Sequence, residues 1–239
     1  MPRPIGVISC EVFDIELRAL CATRPHVRTR ALIDWGLHNE PKKMPPALQA
    51  QIESIESSFA DIEAIALAYG VCSRGTEGVR AGRVPLVIPR AHDCITVLLG
   101  SKERYAEYVK QHPGTYWYSP GWNKHHLAPG KARYDKLRQQ YVDKFGEEDA
   151  DYLMEQEQAW FAHYNRATYV HLTIGATDAD RDYTRDCANF LGWSYDEQQG
   201  NPQLLTDLLD GPWDNDRFLV IPPGQSIRFT ADERIVEAV

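Results

Sequence analysis

The sequence predicts an α/β fold of the Rossmann-like type, with a parallel sheet and helices on both of its faces. Apolar, strand-like runs alternate with stretches of helical periodicity up to about residue 111, which is typical of parallel strands joined by right-handed crossovers. Residues 64–69 and 84–88 are almost continuously apolar, as expected of strands that are buried on both faces. The same alternation resumes after residue 165.

Each predicted element follows from its own local pattern. Short apolar runs predict strands, and apolar residues at helical spacing predict helices. The clearest amphipathic helix has Leu48, Ile52, Ile55 and Phe59 on one face. The predicted strands are residues 4–9, 27–34, 64–69, 84–88, 168–174, 193–196 and 218–221. The predicted helices are residues 12–22, 48–59, 93–111, 178–191 and 202–209, and Gly100 is expected to weaken or bend the third of them.

Two stretches depart from the alternation. Residues 112–126 are rich in aromatic residues, glycine and proline without any period, so we expect irregular structure there. Residues 131–164 are long and charged, and they predict two helices that meet near Gly146. We therefore expect a single α/β domain, residues 1–239, with a helical insertion at about residues 131–165. After residue 221 the chain reads as a polar tail.

Composition excludes several classes of protein. The chain has 239 residues, of which 43% are hydrophobic and 25% charged, so it is expected to be globular rather than disordered. A net charge of -8 argues against binding to nucleic acid or to an anionic membrane, and favours a small-molecule substrate or a protein partner. The N-terminal residues lack the pattern of a secretion signal, so we expect a cytoplasmic protein whose five cysteines are reduced thiols.

Three of the cysteines occupy equivalent topological positions. Cys10 follows the first predicted strand, Cys72 follows the third, and His92 and Cys94 follow the fourth. Because the carboxyl ends of parallel strands share one edge of a sheet, these side chains are expected to converge there. Three thiolates with an open fourth position suit catalytic zinc, with His92 as fourth ligand or as acid and base, and they also suit an iron–sulfur cluster.

The alternative to a metal site is that these cysteines only pack in the core. No CxxC pair is present, so the strongest local signature of structural zinc is missing. Cys21 and Cys187 lie within predicted helices and are expected to be core thiols. His26 and His38, near the second strand, are weaker candidates for the site.

Two charged residues flank His92. Arg90 could grip a carboxylate or phosphate of a substrate, and Asp93 could orient the imidazole. The alternative is that Arg90 and Asp93 form a structural pair at a helix start. The aromatic residues that follow form either a wall of the pocket or ordinary packing over the sheet; they are Tyr116, Trp117, Tyr118 and Trp122.

Several segments resemble one uncharacterised family. The segments are ISCEVFDIEL, LAYGVCSRGTEG, VPLVIPRAHDCITVLLGSKERY and PGTYWYSPGW, and together they cover nearly all of the first 122 residues. They resemble the DUF1638 family, whose members pair a YGxCxxG segment with a PRxHDCxxxLLGS segment. The resemblance selects Cys10, Tyr69, Gly70, Cys72, Gly75, Arg90, His92, Asp93 and Cys94. Among these, Tyr69, Gly70 and Gly75 are expected to contact a cofactor.

The family resemblance implies a metabolic context and no particular reaction. It implies corrinoid-dependent one-carbon metabolism, with a corrinoid protein or a methyltransferase as partner. We accordingly expect a metal-binding protein whose zinc, held by Cys10, Cys72 and Cys94, activates a small thiol or acidic substrate. The alternatives are an iron–sulfur accessory protein for electron transfer or metallocentre maturation, and a metal-free module that binds a small molecule.

Overall fold

The computed structural model describes residues 2–72 and 74–239 and confirms the predicted fold class. A five-stranded sheet has the order β2-β1-β3-β4-β8. Its strands are β1 (Ile5–Cys10), β2 (Val27–Ile33), β3 (Ala64–Ala68), β4 (Leu86–Pro89) and β8 (Phe218–Ile221). The first four strands are parallel, and β8 pairs antiparallel with β4. Ser73, which belongs to the segment LAYGVCSRGTEG, lies outside the described residues.

Helices cover both faces of this sheet. They are α1 (Asp14–Ala22), α2 (Met44–Ser58), α3 (Cys94–Leu99), α4 (Lys102–Gln111) and α9 (Gln203–Asp210). Helix α2 packs against β1 and β2, and α9 packs against β3 and β4. The predicted apolar face of α2 is buried through Leu48, Ile52 and Ile55. Every residue of β1, β3 and β4 is buried, which is why these strands read as unbroken apolar runs.

The helix predicted at residues 93–111 is two helices. Asp93 caps the first, since its carboxylate accepts a hydrogen bond from the amide of Thr96. Gly100 ends it in the left-handed conformation, with φ of 75°, and Ser101 caps the second. A left-handed residue satisfies the last carbonyls of a helix at no steric cost when it is glycine, so Gly100 ends the first helix instead of bending a longer one.

A second sheet lies beyond these helices, in the order β5-β6-β7. Its strands are parallel, and they are β5 (Thr115–Tyr118), β6 (Arg166–His171) and β7 (Ser194–Gln199). The remaining α-helices belong to this part of the chain, and they are α5 (Pro120–His125), α6 (Lys131–Phe145), α7 (Glu147–Gln158) and α8 (Asp178–Leu191). The expectation of irregular structure at residues 112–126 was therefore wrong, because β5 and α5 lie there. Strand β5 is defined by its pairing with β6. Because β6 is distant in sequence, the residues of β5 by themselves do not show a strand pattern.

The charged stretch after β5 forms the two helices that its sequence indicates. Helices α6 and α7 meet at Gly146, and a 3-10 turn at Ala159–His163 leads into β6. Together they connect two neighbouring parallel strands, β5 and β6.

The polar tail that we expected after residue 221 is instead an antiparallel hairpin. Strands β9 (Ile227–Phe229) and β10 (Val236–Ala238) pair with each other, and Arg80 bridges to Ser226 at their base. Ile227, Ile235 and Val236 are buried in the core of the larger sheet. Across residues 2–72 and 74–239, no helix is both long and apolar enough to cross a membrane.

Candidate metal centre and its cavity

Four potential metal ligands lie at the carboxyl edge of the larger sheet. Cys10 is the last residue of β1, Cys72 follows β3, and Cys94 is the first residue of α3 after β4. His38 lies in a 3-10 turn, Trp35–Asn39, that follows β2. The chain leaves β1 towards β2 on one side and returns to β3 on the other, so these residues surround a topological switch point, where open α/β sheets bind their ligands.

The distances place these groups within reach of one ion. One ligand atom each from Cys10, His38 and Cys94 all lie within 4.8 Å of one another. The sulfur of Cys72 is 3.5 Å from the sulfur of Cys94. A tetrahedral zinc ion with bonds of about 2.0–2.3 Å separates its ligand atoms by roughly 3.5–3.8 Å. The structure therefore brings the three expected cysteines to one edge of the sheet, and Cys10, His38 and Cys94 form a group that could hold a metal ion.

The thiols share their protons unequally. A hydrogen bond from Cys94 lowers the pKa of Cys72 to about 6, against the opposing effect of burial, and the same kind of bond lowers the pKa of Cys10. Cys94 is the partner in both cases, and its own pKa is raised well above that of an ordinary thiol. The lowered pKa values of Cys72 and Cys10 favour the thiolate, which is the form that binds metals.

His38 is oriented as a ligand would be. Its Nδ1 lies 2.9 Å from the carbonyl oxygen of Trp35, to which it can only donate, so the neutral ring leaves Nε2 free of a proton. Burial on its own would lower the pKa of His38, but Cys72 and the charge of Cys10 outweigh it and raise the pKa to about 9. The thiols therefore favour a positive charge on His38, and a bound divalent ion would supply such a charge in place of the proton.

Tyr69 also belongs to this site. Its ring is fully buried, and its hydroxyl has no hydrogen-bond partner among the described residues. Burial raises its pKa well above the usual value, and the charges of Cys10, Cys94 and Cys72 raise it further. An unpaired buried hydroxyl is costly unless a further group completes it. The unpaired hydroxyl of Tyr69 is consistent with a bound ligand or ion that would complete its hydrogen bonding.

A cavity of about 450 Å³ opens beside the thiols. Cys72, Cys94 and His38 line one side, and Tyr116 and Trp117 of β5 line the opposite side. The remaining residues around it are Val12, His92, Asp93, Ile95, Thr115, Trp122 and Tyr164. The cavity therefore lies between the carboxyl edge of the larger sheet and the edge strand of the smaller one.

His92 and Asp93 lie at the cavity but not among the four ligands. The His92 side chain is exposed at the rim, while its backbone carbonyl accepts a hydrogen bond of 3.1 Å from the amide of Cys72. Asp93 accepts bonds of 2.7 Å and 2.9 Å from the amide and hydroxyl of Thr96. His38 thus takes the position among the thiols that the sequence assigned to His92.

The expectation that Arg90 grips an acidic substrate does not fit its surroundings. Its guanidinium donates to the carbonyl and side-chain oxygens of Asn215, at 2.7 Å and 3.0 Å, and to the carbonyls of Arg234 and Val236. All of its nitrogens are used, and Asp93 is not among its partners. Arg90 anchors the C-terminal hairpin rather than a substrate, and the alternative pairing with Asp93 is also wrong.

The two glycines expected to contact a cofactor instead lie against protein atoms. A Cβ on Gly70 would come within 2.4 Å of the backbone of Asp93, so only glycine allows this close approach of the loop after β3 to the start of α3. A Cβ on Gly75 would meet the sulfur of Met44 at 2.4 Å. Both glycines therefore shape the turn that carries Cys72.

Sequence reasoning underrated two contributors to the site. His38 follows β2 just as Cys72 follows β3, so the rule that selected the cysteines also selects this histidine once the 3-10 turn is allowed for. The β5 side of the cavity depends on a strand that only long-range pairing creates. Its one local signal was the density of aromatic residues.

These features define an α/β protein with a cysteine–histidine centre at the switch point of a parallel sheet. The chain belongs to the DUF1638 family, whose description is "protein of unknown function", and the match covers residues 32–209. The match includes His38, Cys72 and Cys94 and continues well beyond the segments that carried the resemblance, while Cys10 precedes it. The chain matches no curated protein and no solved structure.

Proposed function

We propose that this protein is a zinc protein in which Cys10, His38 and Cys94 hold the metal and the adjoining cavity receives a small substrate. The convergence of these ligand atoms within 4.8 Å carries the proposal. Thiolate and imidazole together are the ligands that zinc prefers. When bound, zinc would supply Lewis acidity and stabilise a coordinated substrate thiol as the nucleophilic thiolate at neutral pH.

The fourth position of the metal belongs to Cys72 in the absence of substrate. Its sulfur lies next to Cys94 and lines the cavity, whereas Cys10 ends a buried strand. Cys72 sits on a turn with φ of 42°, a conformation that is strained for a residue other than glycine. An entering substrate thiol would therefore replace Cys72 more easily than the other ligands. Tyr69 would offer its unpaired hydroxyl to a group bound beside the thiols.

A single ion is favoured over the iron–sulfur cluster. In a four-iron cluster each thiolate binds a different iron, so its ligands stand further apart than the ligands of one ion. The 3.5 Å separation of the Cys72 and Cys94 sulfurs matches the shorter spacing. Of the two substrate classes considered, the small thiol remains, because the acidic substrate depended on Arg90.

The placement in methyl-group transfer rests on the family resemblance. A metal-activated thiolate is a suitable methyl acceptor, and a corrinoid protein or methyltransferase would be the matching partner. The chemistry of the thiols is compatible with this role, and the reaction itself is part of the proposal.

Metal analysis of protein purified without oxygen tests the proposal. We expect a colourless protein with one zinc per chain in the wild type, and loss of that zinc in Cys94→Ala. Cys21→Ala, which alters a cysteine of α1 outside the cluster, is the matched control and should keep the metal. A brown protein containing iron would support the cluster instead, and wild-type protein without metal would refute both.

A further inference from the structure

We propose that the cavity beside the thiols binds a small alkylated cation, a quaternary ammonium or sulfonium group, as a second substrate of this site beside the thiol. The inference deepens the proposed function and rests on it for the role of the cation as a partner of the metal centre. Binding of the cation itself depends only on the aromatic rings and the charged groups that line the cavity.

Aromatic rings approach the cavity from both sides of strand β5. Successive residues of a strand point to opposite faces, and Tyr116 and Trp117 both line the cavity. Tyr116 packs against Tyr164 with ring centroids 5.4 Å apart, and it lies 6.3 Å from Trp122. Trp117 lies on the other face. The negative faces of aromatic rings attract cations, and grouped rings of this kind recognise alkylated ammonium ions.

Trp117 has its own aromatic support. Its ring lies 6.1 Å from that of Tyr105 and 4.9 Å from that of Tyr108, both on helix α4. The indole is therefore held in place before any ligand arrives, so little conformational entropy is lost on binding. The preorganised indole, with Tyr116 on the other face of β5, favours a compact, rounded cation.

Apart from the imidazoles of His38 and His92, the charged groups around the cavity have one sign. Among the described residues no lysine or arginine lines it, whereas the carboxylate of Asp93 and the thiols of Cys72 and Cys94 do. An anionic substrate would have no ion-pair partner here except an imidazole. The hydrogen bonds to Asp93 come from Thr96, so no basic side chain neutralises its charge in these contacts.

A second cavity shows that the protein places lysine and arginine side chains around a cavity elsewhere. The cavity of about 600 Å³ that Arg90 lines carries the basic side chains of Lys102, Arg217 and Arg234, together with the acidic side chains of Glu103, Asp216 and Glu233. Basic side chains therefore line that cavity, whereas among the described residues no lysine or arginine lines the cavity beside the thiols. A volume of 450 Å³ lies within the range of small-molecule sites, roughly 300–1,000 Å³, and leaves room for a cation next to the metal centre.

Calorimetry on the metal-loaded wild-type protein tests the inference with matched probes. The probes are choline, its neutral isostere 3,3-dimethylbutan-1-ol, trimethylsulfonium and acetate. We expect choline or trimethylsulfonium to bind at least tenfold more tightly than the isostere, and acetate not to bind. The two cations distinguish the ammonium from the sulfonium source. Equal binding of choline and the isostere, or preferential binding of acetate, would overturn the inference.

Two variants test the walls separately. Asp93→Asn keeps a residue that can cap α3 but removes the charge, so it should weaken binding of the cation and leave the isostere unaffected. Trp117→Leu should weaken cation binding, and Trp213→Leu, at a different cavity, should not. Cation binding that is unchanged in both Asp93→Asn and Trp117→Leu would contradict the proposal.

Metal content measured on the same samples separates the two proposals. Stoichiometric zinc without any preference for the cation would sink only the substrate class. A clear preference for the cation in a protein that never holds zinc would sink the proposed function and leave the cavity assignment intact.

Discussion

Cys94 is the residue on which the chemistry of the site depends. It hydrogen-bonds to Cys72 at 3.5 Å and lowers the pKa values of Cys72 and Cys10 while its own pKa rises. The sequence identifies the three cysteines because each follows a strand. It ranked His38 too low and placed His92 and Arg90 too close to the chemistry, since the order of residues does not reveal the direction in which a side chain points.

A second unusual residue, Glu16, lies away from this site. Its side chain is fully buried in α1, and neither carboxylate oxygen has a hydrogen-bond partner among the described residues. Burial raises its pKa to about 8, with a smaller contribution from the charges of Asp14 and Asp180. Glu16 is therefore protonated in the folded protein near neutral pH, and its ionisation is coupled to stability.

We predict that Glu16 makes stability fall as the pH rises from about 4.5 to about 8. Below that window the carboxyl is protonated in both states. Within it the unfolded chain ionises first, so the free energy of unfolding decreases until the folded-state pKa is passed. The full loss is on the order of 5 kcal/mol, at about 1.4 kcal/mol for each of roughly 3.5 pKa units.

Urea unfolding at several pH values measures this effect. Glu16→Gln should flatten the pH dependence and be more stable than the wild type above pH 8, because it cannot ionise. Glu53→Gln, at an exposed position of α2, is the control and should follow the wild type. Parallel curves for the wild type and Glu16→Gln would show that the carboxyl is hydrated or paired in solution.

At the scale of elements, Arg90 helps to hold the C-terminal hairpin to the larger sheet, beside the apolar contacts of Ile227 and Val236. Arg90, which follows β4, donates hydrogen bonds to Asn215, Arg234 and Val236. Three of the four acceptor atoms are backbone carbonyl oxygens. A basic residue in a segment shared with the family therefore has a structural explanation.

We predict that Arg90→Met lowers the free energy of unfolding by roughly 3 kcal/mol, because several buried carbonyls lose a charged donor. Amide hydrogen exchange should rise most in β9 and β10. Arg228→Met removes an exposed pair with Glu237 on the same hairpin and should cost less than about 1 kcal/mol. Unchanged metal content in Arg90→Met would agree with this structural role, whereas loss of metal without faster hairpin exchange would contradict it.

Residues 112–126, the segment rich in aromatic residues, show which elements a local sequence pattern fails to predict. The alternation of apolar runs and helical spacing correctly indicated the strands of the larger sheet up to β4, because each carries its own pattern of burial. Strand β5 has only four residues and lies at an edge, so its identity comes from pairing with β6. The sequence did not indicate that β8 runs antiparallel to β4 either, since an apolar strand has the same pattern in both orientations.

At the scale of the whole molecule, the metal centre joins separate parts of the chain. Its ligands come from the ends of β1 and β4 and from the segments after β2 and β3. An ion bound there would link four strands that the unfolded chain cannot hold together. Binding to the folded state alone stabilises it by mass action, by about 4 kcal/mol when the ligand is at 1,000 times its dissociation constant.

We predict that a chelator lowers the thermal unfolding midpoint of the wild type by several degrees. Cys94→Ala should start from the lower midpoint and should not respond to the chelator, because it lacks a ligand. Cys21→Ala should respond as the wild type does. Differential scanning calorimetry with and without chelator makes the comparison, and a wild-type midpoint that the chelator does not move would count against a metal that bridges these strands.

The sequence by itself determined the fold class, the edge of the sheet that carries the site and the three thiols that meet there. These follow from burial patterns and strand order, which local residues encode directly. Only the tertiary structure decided that His38 joins the thiols, that Arg90 supports a hairpin and that a second sheet closes the cavity with aromatic rings. Those outcomes depend on contacts between distant segments and on side-chain directions, and no local pattern specifies either.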